Sequence, residues 1–278
     1  MLSNALRRTG SRTVRLTAVI LALLLVPLGV TSAEAGSSGR HPKPTIVLVH
    51  GAWADGTSWA DVVKRLQHDG YTVVAPPNNL RGLAADSAYI RDFLQTISGP
   101  IVLAAHSYGG AVITNAATGL PNVKSLVYID AFIPDEGQVL GPLAGEDSAL
   151  AGAFTDPASV FKLVPYPSAP AGVVDTYLLP KVFFDDFAQD LPRRQAMMLQ
   201  ATQRPASLLI ITEPSGPPAW KTIPSYALVG TQDRIITPEA QLAMAKNAGA
   251  KVVKVKSSHV SLISHPDDVT RLIEKAAR

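Results

Sequence analysis

Two periods of apolar and polar positions alternate along this chain, and the switch between them repeats. Ile46-Val-Leu-Val49 admits no polar residue, so Thr45–Val49 reads as a strand covered on both faces. Ser58 to His68 reads as a helix ended by Asp69-Gly70. Tyr71-Thr-Val-Val-Ala75 is the next strand, stopped by Pro76-Pro77. Ile90, Phe93, Leu94 and Ile97 then fall at i, i+3, i+4 and i+7, the stripe of an amphipathic helix. A strand at 101–105, a helix from about 108 to 118 and a strand from Val123 to Ile129 follow.

Between Pro134 and Pro224 the rhythm breaks. Prolines are frequent, and Phe183, Phe184, Phe187 and Met197-Met198-Leu199 cluster with helical rather than strand character. Methionine and phenylalanine in such a cluster are expected to fill the core of this inserted segment rather than line a pocket. Regular order returns with Tyr226-Ala-Leu-Val229. Thr237-Pro238 opens a helix, with threonine as N-cap and proline in the first turn. Lys251-Val-Val-Lys-Val255 alternates as an edge strand does, and Val269, Leu272, Ile273 and Ala276 mark a closing helix after Pro266. The alternation predicts a mainly parallel sheet with helices on both faces.

The first 35 residues follow a different logic. Arg7, Arg8, Arg12 and Arg15 precede the apolar stretch Leu16–Val30, and Ala33-Glu-Ala35 is a small-x-small cleavage site. That order predicts a secretory signal peptide over residues 1–35, cut after Ala35, with a linker over 36–43. The apolar stretch is short for a membrane span of about 20 residues. The leader takes four arginines and one glutamate from the 25 basic and 22 acidic residues. The remainder is therefore balanced in charge, and nothing in it points to nucleic acid. The chain has no cysteine, so a thiol nucleophile, a cysteine zinc site and disulfides are all excluded.

The candidate chemistry begins at Ala105-His-Ser-Tyr-Gly-Gly110, where a strand runs straight into a small-residue turn and a helix. A serine on such a turn stands at the positive end of the following helix, and small neighbours let the turn close. Serine is a poor nucleophile without a base and an orienting acid. Asp233 and His259 each follow a strand, in the chain order Ser107, Asp233, His259. Ser107 is therefore expected at φ > 0, with His259 Nε2 in hydrogen-bond reach and Asp233 on the other ring nitrogen. Asp130, at the end of the preceding strand, is the rival acid. His265 reads as a cap of the last helix, His106 as facing away from the serine, His50 as structural, and His41 and His68 as exposed. The His50-Gly51-Ala52-Trp53 turn aims a backbone N–H at the site, so Ala52 and Tyr108 amides form the expected oxyanion hole. No G-x-G-x-x-G, P-loop or H-E-x-x-H is present, and no cofactor or metal is expected.

Five segments carry a family resemblance: Leu48–Trp53, Ala105–Gly110, Ala131–Gly137, Thr202–Pro205 and Ser258–Pro266. From about Thr45 to Ala277 the chain resembles the α/β-hydrolases, in the branch that holds plant methyl-ester esterases and hydroxynitrile lyases. The resemblance implies an α/β-hydrolase fold over 44–278 with a cap inserted at about 135–224, and Ser107, Asp233 and His259 as the triad. The room before Thr45 suggests a shortened sheet of about six strands. The related lyases carry threonine where this chain has Gly51, and a cyanide-stabilising lysine where it has Val260. The favoured reading is a secreted serine esterase for small carboxylic esters or lactones, with a small-molecule ester as partner and no membrane attachment after leader cleavage. Lyase or perhydrolase chemistry, or a ligand receptor on the same fold, fits the same three residues.

Overall fold

The computed structural model describes residues 43–278; the expected leader and the linker up to residue 42 lie outside them. A six-stranded sheet runs through the centre, with every neighbouring pair parallel. Its strands are β1 (Thr45–Val49), β2 (Val73–Val74), β3 (Ile101–His106), β4 (Val123–Ile129), β8 (Ser225–Gly230) and β9 (Lys251–Val255), in the order β2-β1-β3-β4-β8-β9. Three short strands in between, β5 (Phe161–Val164), β6 (Asp175–Leu178) and β7 (Ala206–Ser207), form a separate antiparallel sheet.

The unbroken apolar runs became the central strands. All six residues of β3 are buried, as are Ile46 to Val49 of β1. Helices Ala60–His68 and Pro266–Ala276 pack on each other, and Leu83–Gln95 packs on Tyr108–Ala116. The chain steps from β1 outward to β2 and then returns across β1 to β3 and β4. Right-handed crossovers therefore put the two helix pairs on opposite faces of the sheet. The reversal is a topological switch point, and in open parallel sheets ligands bind beyond the carboxyl ends of the strands at that place. His50 follows β1, Ser107 follows β3, and the Asp233 and His259 loops follow β8 and β9 on the same rim.

Four expectations need correction. The second strand is only Val73–Val74, because it lies at the sheet edge with β1 as its single neighbour and Pro76 offers no N–H. The second helix stops at Gln95, so Ile97 lies beyond its cap, while Ile90 and Leu94 carry the buried stripe. The cap is not simply helical, since it holds the antiparallel sheet β5-β6-β7. Strands of two to four residues, bounded by prolines, are too short for a period of two to show in sequence. The Met/Phe cluster also divides. Phe183 and Phe187 are buried but, with Leu199, line a cleft instead of only filling the cap, whereas Met197 and Met198 are 54% and 59% exposed on the outer side of helix Arg193–Ala201.

Two strong contacts join cap to core on the β7 side. The Ser207 amide donates to the Leu80 carbonyl at 2.9 Å, and Arg81 pairs with Asp175 at 2.8 Å.

Candidate active site

Ser107 sits between β3 and the helix Tyr108–Ala116 with φ 53° and ψ −126°. A non-glycine residue held there costs about 1–3 kcal/mol, so surrounding contacts must enforce it. They do: the Ser107 amide donates to Ile129 O at 3.2 Å, and the Ser107 carbonyl accepts from Gly110 at 2.9 Å and Phe132 at 3.2 Å. The two glycines of the turn are required by space. A Cβ on Gly109 would lie 2.8 Å from the Val49 carbonyl oxygen, and one on Gly110 would strike the Phe132 carbonyl oxygen. Both obstacles are backbone and cannot rotate away.

The structure brings the three sequence-selected side chains into one hydrogen-bonded row. His259 Nε2 lies 2.8 Å from Ser107 Oγ, and His259 Nδ1 lies 2.7 Å from Asp233 Oδ2. All three residues are buried. With Nδ1–H donated to the carboxylate, Nε2 is left unprotonated and faces the hydroxyl, the tautomer a general base needs. Asp233 is itself fixed by three further donors. Its Oδ1 accepts from the Ile235 and Ile236 amides at 2.8 and 3.0 Å, and its Oδ2 accepts from Gln241 Nε2 at 2.7 Å. Burial pushes the Asp233 carboxyl well up and the imidazole of His259 down, to about 4, while the Asp130 charge pulls His259 back up.

Asp130 is turned to other work. Its Oδ1 accepts from the Gly230 amide at 2.8 Å, and its Oδ2 accepts from the amide and hydroxyl of Ser261. It thus ties the end of β8 to the turn after His259, without touching either ring nitrogen. Burial, then the neighbouring Asp233 charge, raises it to about 7 against the pull of the Ser261 donors.

The other histidines fall into place. His50 is buried and structural: its Nε2 accepts from the Asn78 amide at 3.0 Å, and its Nδ1 lies 2.9 Å from the Gly51 carbonyl. His106 turns from the serine but not from the site, since its Nε2 donates to the His259 carbonyl at 2.7 Å. The two rings lie 4.9 Å apart. His68 is exposed, and His41 lies outside the described residues. His265 occupies the N-cap position of the last helix, yet its ring caps nothing and instead meets Ser264 Oγ at 2.9 Å. Its own amide already bonds back to Ser261.

The amides of Ala52 and Tyr108 donate to no protein acceptor among the described residues, so both are free beside Ser107. The Tyr108 hydroxyl points elsewhere, donating to the buried Asp86 at 2.7 Å. Gly51 is packed tightly at this point: a Cβ would lie 2.7 Å from Ser107 Cβ and 2.9 Å from His106 Nδ1. A threonine side chain cannot enter this position without moving the serine.

Several residues of the site carry little signal in the sequence. Trp53, at φ 55°, leaves the His50–Ala52 turn and reaches the cap, where its indole N–H meets Thr176 Oγ1 at 3.2 Å. Its ring lies 5.4 Å from Phe161 and 6.4 Å from Phe187, and Phe187 lies 5.1 Å from the His259 ring. Trp53, Phe183 and Phe187 line a narrow cleft of about 30 Å³ together with Leu199 and Leu262, with Asp55, Thr57 and Ser58 on its polar side. His106 and Val260, the chain neighbours of Ser107 and His259, form part of its wall. Gln241 could have been suspected as a buried polar residue one turn into the helix opened by Thr237-Pro238.

A family model described as the alpha/beta hydrolase family matches residues 46–272. Part of the chain is similar to a carbendazim hydrolyzing esterase from a Nocardioides species, 38% identical over 107 residues. That match spans 34% of this chain and 44% of the relative. Over 257 residues the chain is 28% identical to an alpha/beta hydrolase, nvfD, of Aspergillus novofumigatus, covering 84% of this chain and 97% of that one. The crystal structure of polyneuridine aldehyde esterase superposes with a TM-score of 0.69 at 19% identity, over 85% of this chain and all of that one, a likeness of fold. Sequence family and architecture agree from β1 to the closing helix, and the chain belongs to the alpha/beta hydrolase family.

Proposed function

We propose that this protein is a secreted serine esterase that cleaves small carboxylic esters or lactones through an acyl-enzyme on Ser107. The observation that carries the reading is the buried row Ser107–His259–Asp233 beside two unengaged amides. In the proposed reaction His259 Nε2 takes the Ser107 proton as Oγ attacks the ester carbonyl carbon. The oxygen of that carbonyl gains charge and is received by the Ala52 and Tyr108 N–H groups. His259 then returns the proton to the departing alkoxide. Water repeats the sequence on the acyl-enzyme, releasing the acid. The cleft beside the pair is narrow and mostly apolar, which favours a small ester over a polymer strand. Val260 supplies no cation beside His259, which favours ester hydrolysis over cyanide release.

A graded series of p-nitrophenyl esters tests this, together with a serine-directed phosphonate. Turnover of the short esters is expected, with a single phosphonate adduct on the peptide that contains Ser107. Lyase turnover without ester hydrolysis would displace the reading, as would tight ligand binding with no turnover. Export is tested by the mass of protein recovered from culture medium, which should begin at Gly36; a full-length, membrane-retained product would overturn it.

The pH dependence follows from burial. The base must be neutral, and burial lowers its pKa from 6.5 to about 4. The neutral form therefore persists as pH falls through the ordinary histidine range. The acid limb of kcat/KM is expected below pH 6.5, read from initial rates across pH. A limb centred at or above that value would mean that the imidazolium is not penalised by its surroundings.

A further inference from the structure

We propose that Asp190, in the cap, is a positioning residue for His259, so that the cap aligns the base as well as lining the cleft. The inference rests on the reading of Ser107 and His259 as the reacting pair. Ser258, fully buried, immediately precedes His259. Its amide donates to Asp190 Oδ2 at 2.9 Å and its hydroxyl to Asp190 Oδ1 at 2.5 Å. The same hydroxyl oxygen receives the Val260 amide at 3.4 Å, bridging the residues on either side of His259. His106 holds the His259 carbonyl from the core. The backbone that carries the ring is thus gripped from two sides, by the core through His106 and by the cap through Asp190.

The grip extends to the acid. Gln189 Nε2 donates to the carbonyl of Gln232, the residue before Asp233, at 2.7 Å. Arg234, directly after the acid, donates to the Asp185 carbonyl at 2.9 Å. Phe187 of the same segment lies against the His259 ring. One cap segment, 185–190, therefore touches the loops of both acid and base. Asp190 thus sets a carboxylate beside the backbone that carries His259, and, behind burial, its charge raises the pKa of the Asp233 carboxyl. The other groups facing His259 are Asp233 on Nδ1, Asp130 through Ser261, and the ring of His106; Phe187 and Val260 are uncharged.

The test compares Asp190→Ala, Asp190→Asn and Ser258→Ala with wild type on a short p-nitrophenyl ester, alongside Ser107→Ala. Loss of alignment is expected to lower kcat of Asp190→Ala by about 10- to 100-fold, because small displacements of reacting groups carry penalties of that size. KM should change little. Asp190→Asn keeps one acceptor oxygen and should fall between. If Asp190→Ala does not fold, Ser258→Ala removes the hydroxyl bond to Asp190 and the long bond from the Val260 amide, keeps the amide bond to Asp190, and should show a smaller loss, again in kcat. Unchanged kcat, with or without a rise in KM, would reduce Asp190 to a fastener of the cap and overturn the proposal. Hydrolysis that survives in Ser107→Ala would instead overturn the reading on which it rests.

Discussion

Replacing Ser107 with alanine is expected to lower ester turnover by about 10⁶-fold, the loss found when a triad serine is removed from a subtilisin. The side chain offers one nucleophilic atom, and that atom lies 2.8 Å from His259 Nε2. Alanine keeps the Cβ, so the turn should keep its shape, although its φ of 53° suits alanine no better than serine. Removing one buried hydroxyl deprives only His259 Nε2 of a partner, and the stability change should stay within about 1–3 kcal/mol. The check is kinetic: protein of confirmed circular dichroism and thermal midpoint, assayed against wild type titrated with phosphonate. Turnover retained above about one part in a hundred would exclude covalent catalysis by this serine.

Asp233→Asn is the second large effect, expected at about 10⁴-fold in kcat by analogy with the best-studied serine triad. The geometry explains why asparagine cannot substitute. Four donors converge on this carboxylate: the Ile235 and Ile236 amides on one oxygen, Gln241 and His259 on the other. With its carbonyl toward the two amides, asparagine turns an NH₂ toward Gln241 and the ring. His259 must then accept at Nδ1 and carry its proton on Nε2, where it can no longer take one from Ser107. With the amide reversed, two buried backbone N–H groups lose their acceptor, at about 1–3 kcal/mol for an unsatisfied buried group. Activity and thermal midpoint should therefore fall together, unlike in Ser107→Ala. Unchanged kcat in a folded Asp233→Asn protein would transfer the acid role elsewhere.

The core of the fold was legible because its signals are local and strong. Ile46–Val49 and 101–105 admit no polar residue, and only strands covered on both faces tolerate that. The serine turn was legible because Gly109 and Gly110 are demanded by backbone oxygens, a constraint that leaves its mark on two adjacent positions. The choice of Asp233 over Asp130 rested on chain order; in the structure each carboxylate is saturated by its own donors, and of the two Asp233 faces the ring. The cap was misread because β5 and β6 are four residues long and β7 two. The contacts of Asp190 and Trp53 left no trace because their partners lie 68 and 123 positions away, and both pairings are set by how the cap folds back. For Gln241 the contact is near in sequence, but its meaning appears only once Asp233 has its other three donors.

The two rims of the central sheet have a consequence for how copies of this protein behave at high concentration. A strand edge is a row of unpaired N–H and C=O groups, a template for a second chain. One rim is only Val73–Val74, cut short before Pro76-Pro77, too brief to template much. The other carries lysines at 251 and 254, both exposed, along Lys251–Val255. Another copy adding to that rim would bring its own lysines into register with these, and like charges set opposite one another repel. The sheet is thus protected from fibre-like growth by brevity at one end and by charge at the other, without disulfides.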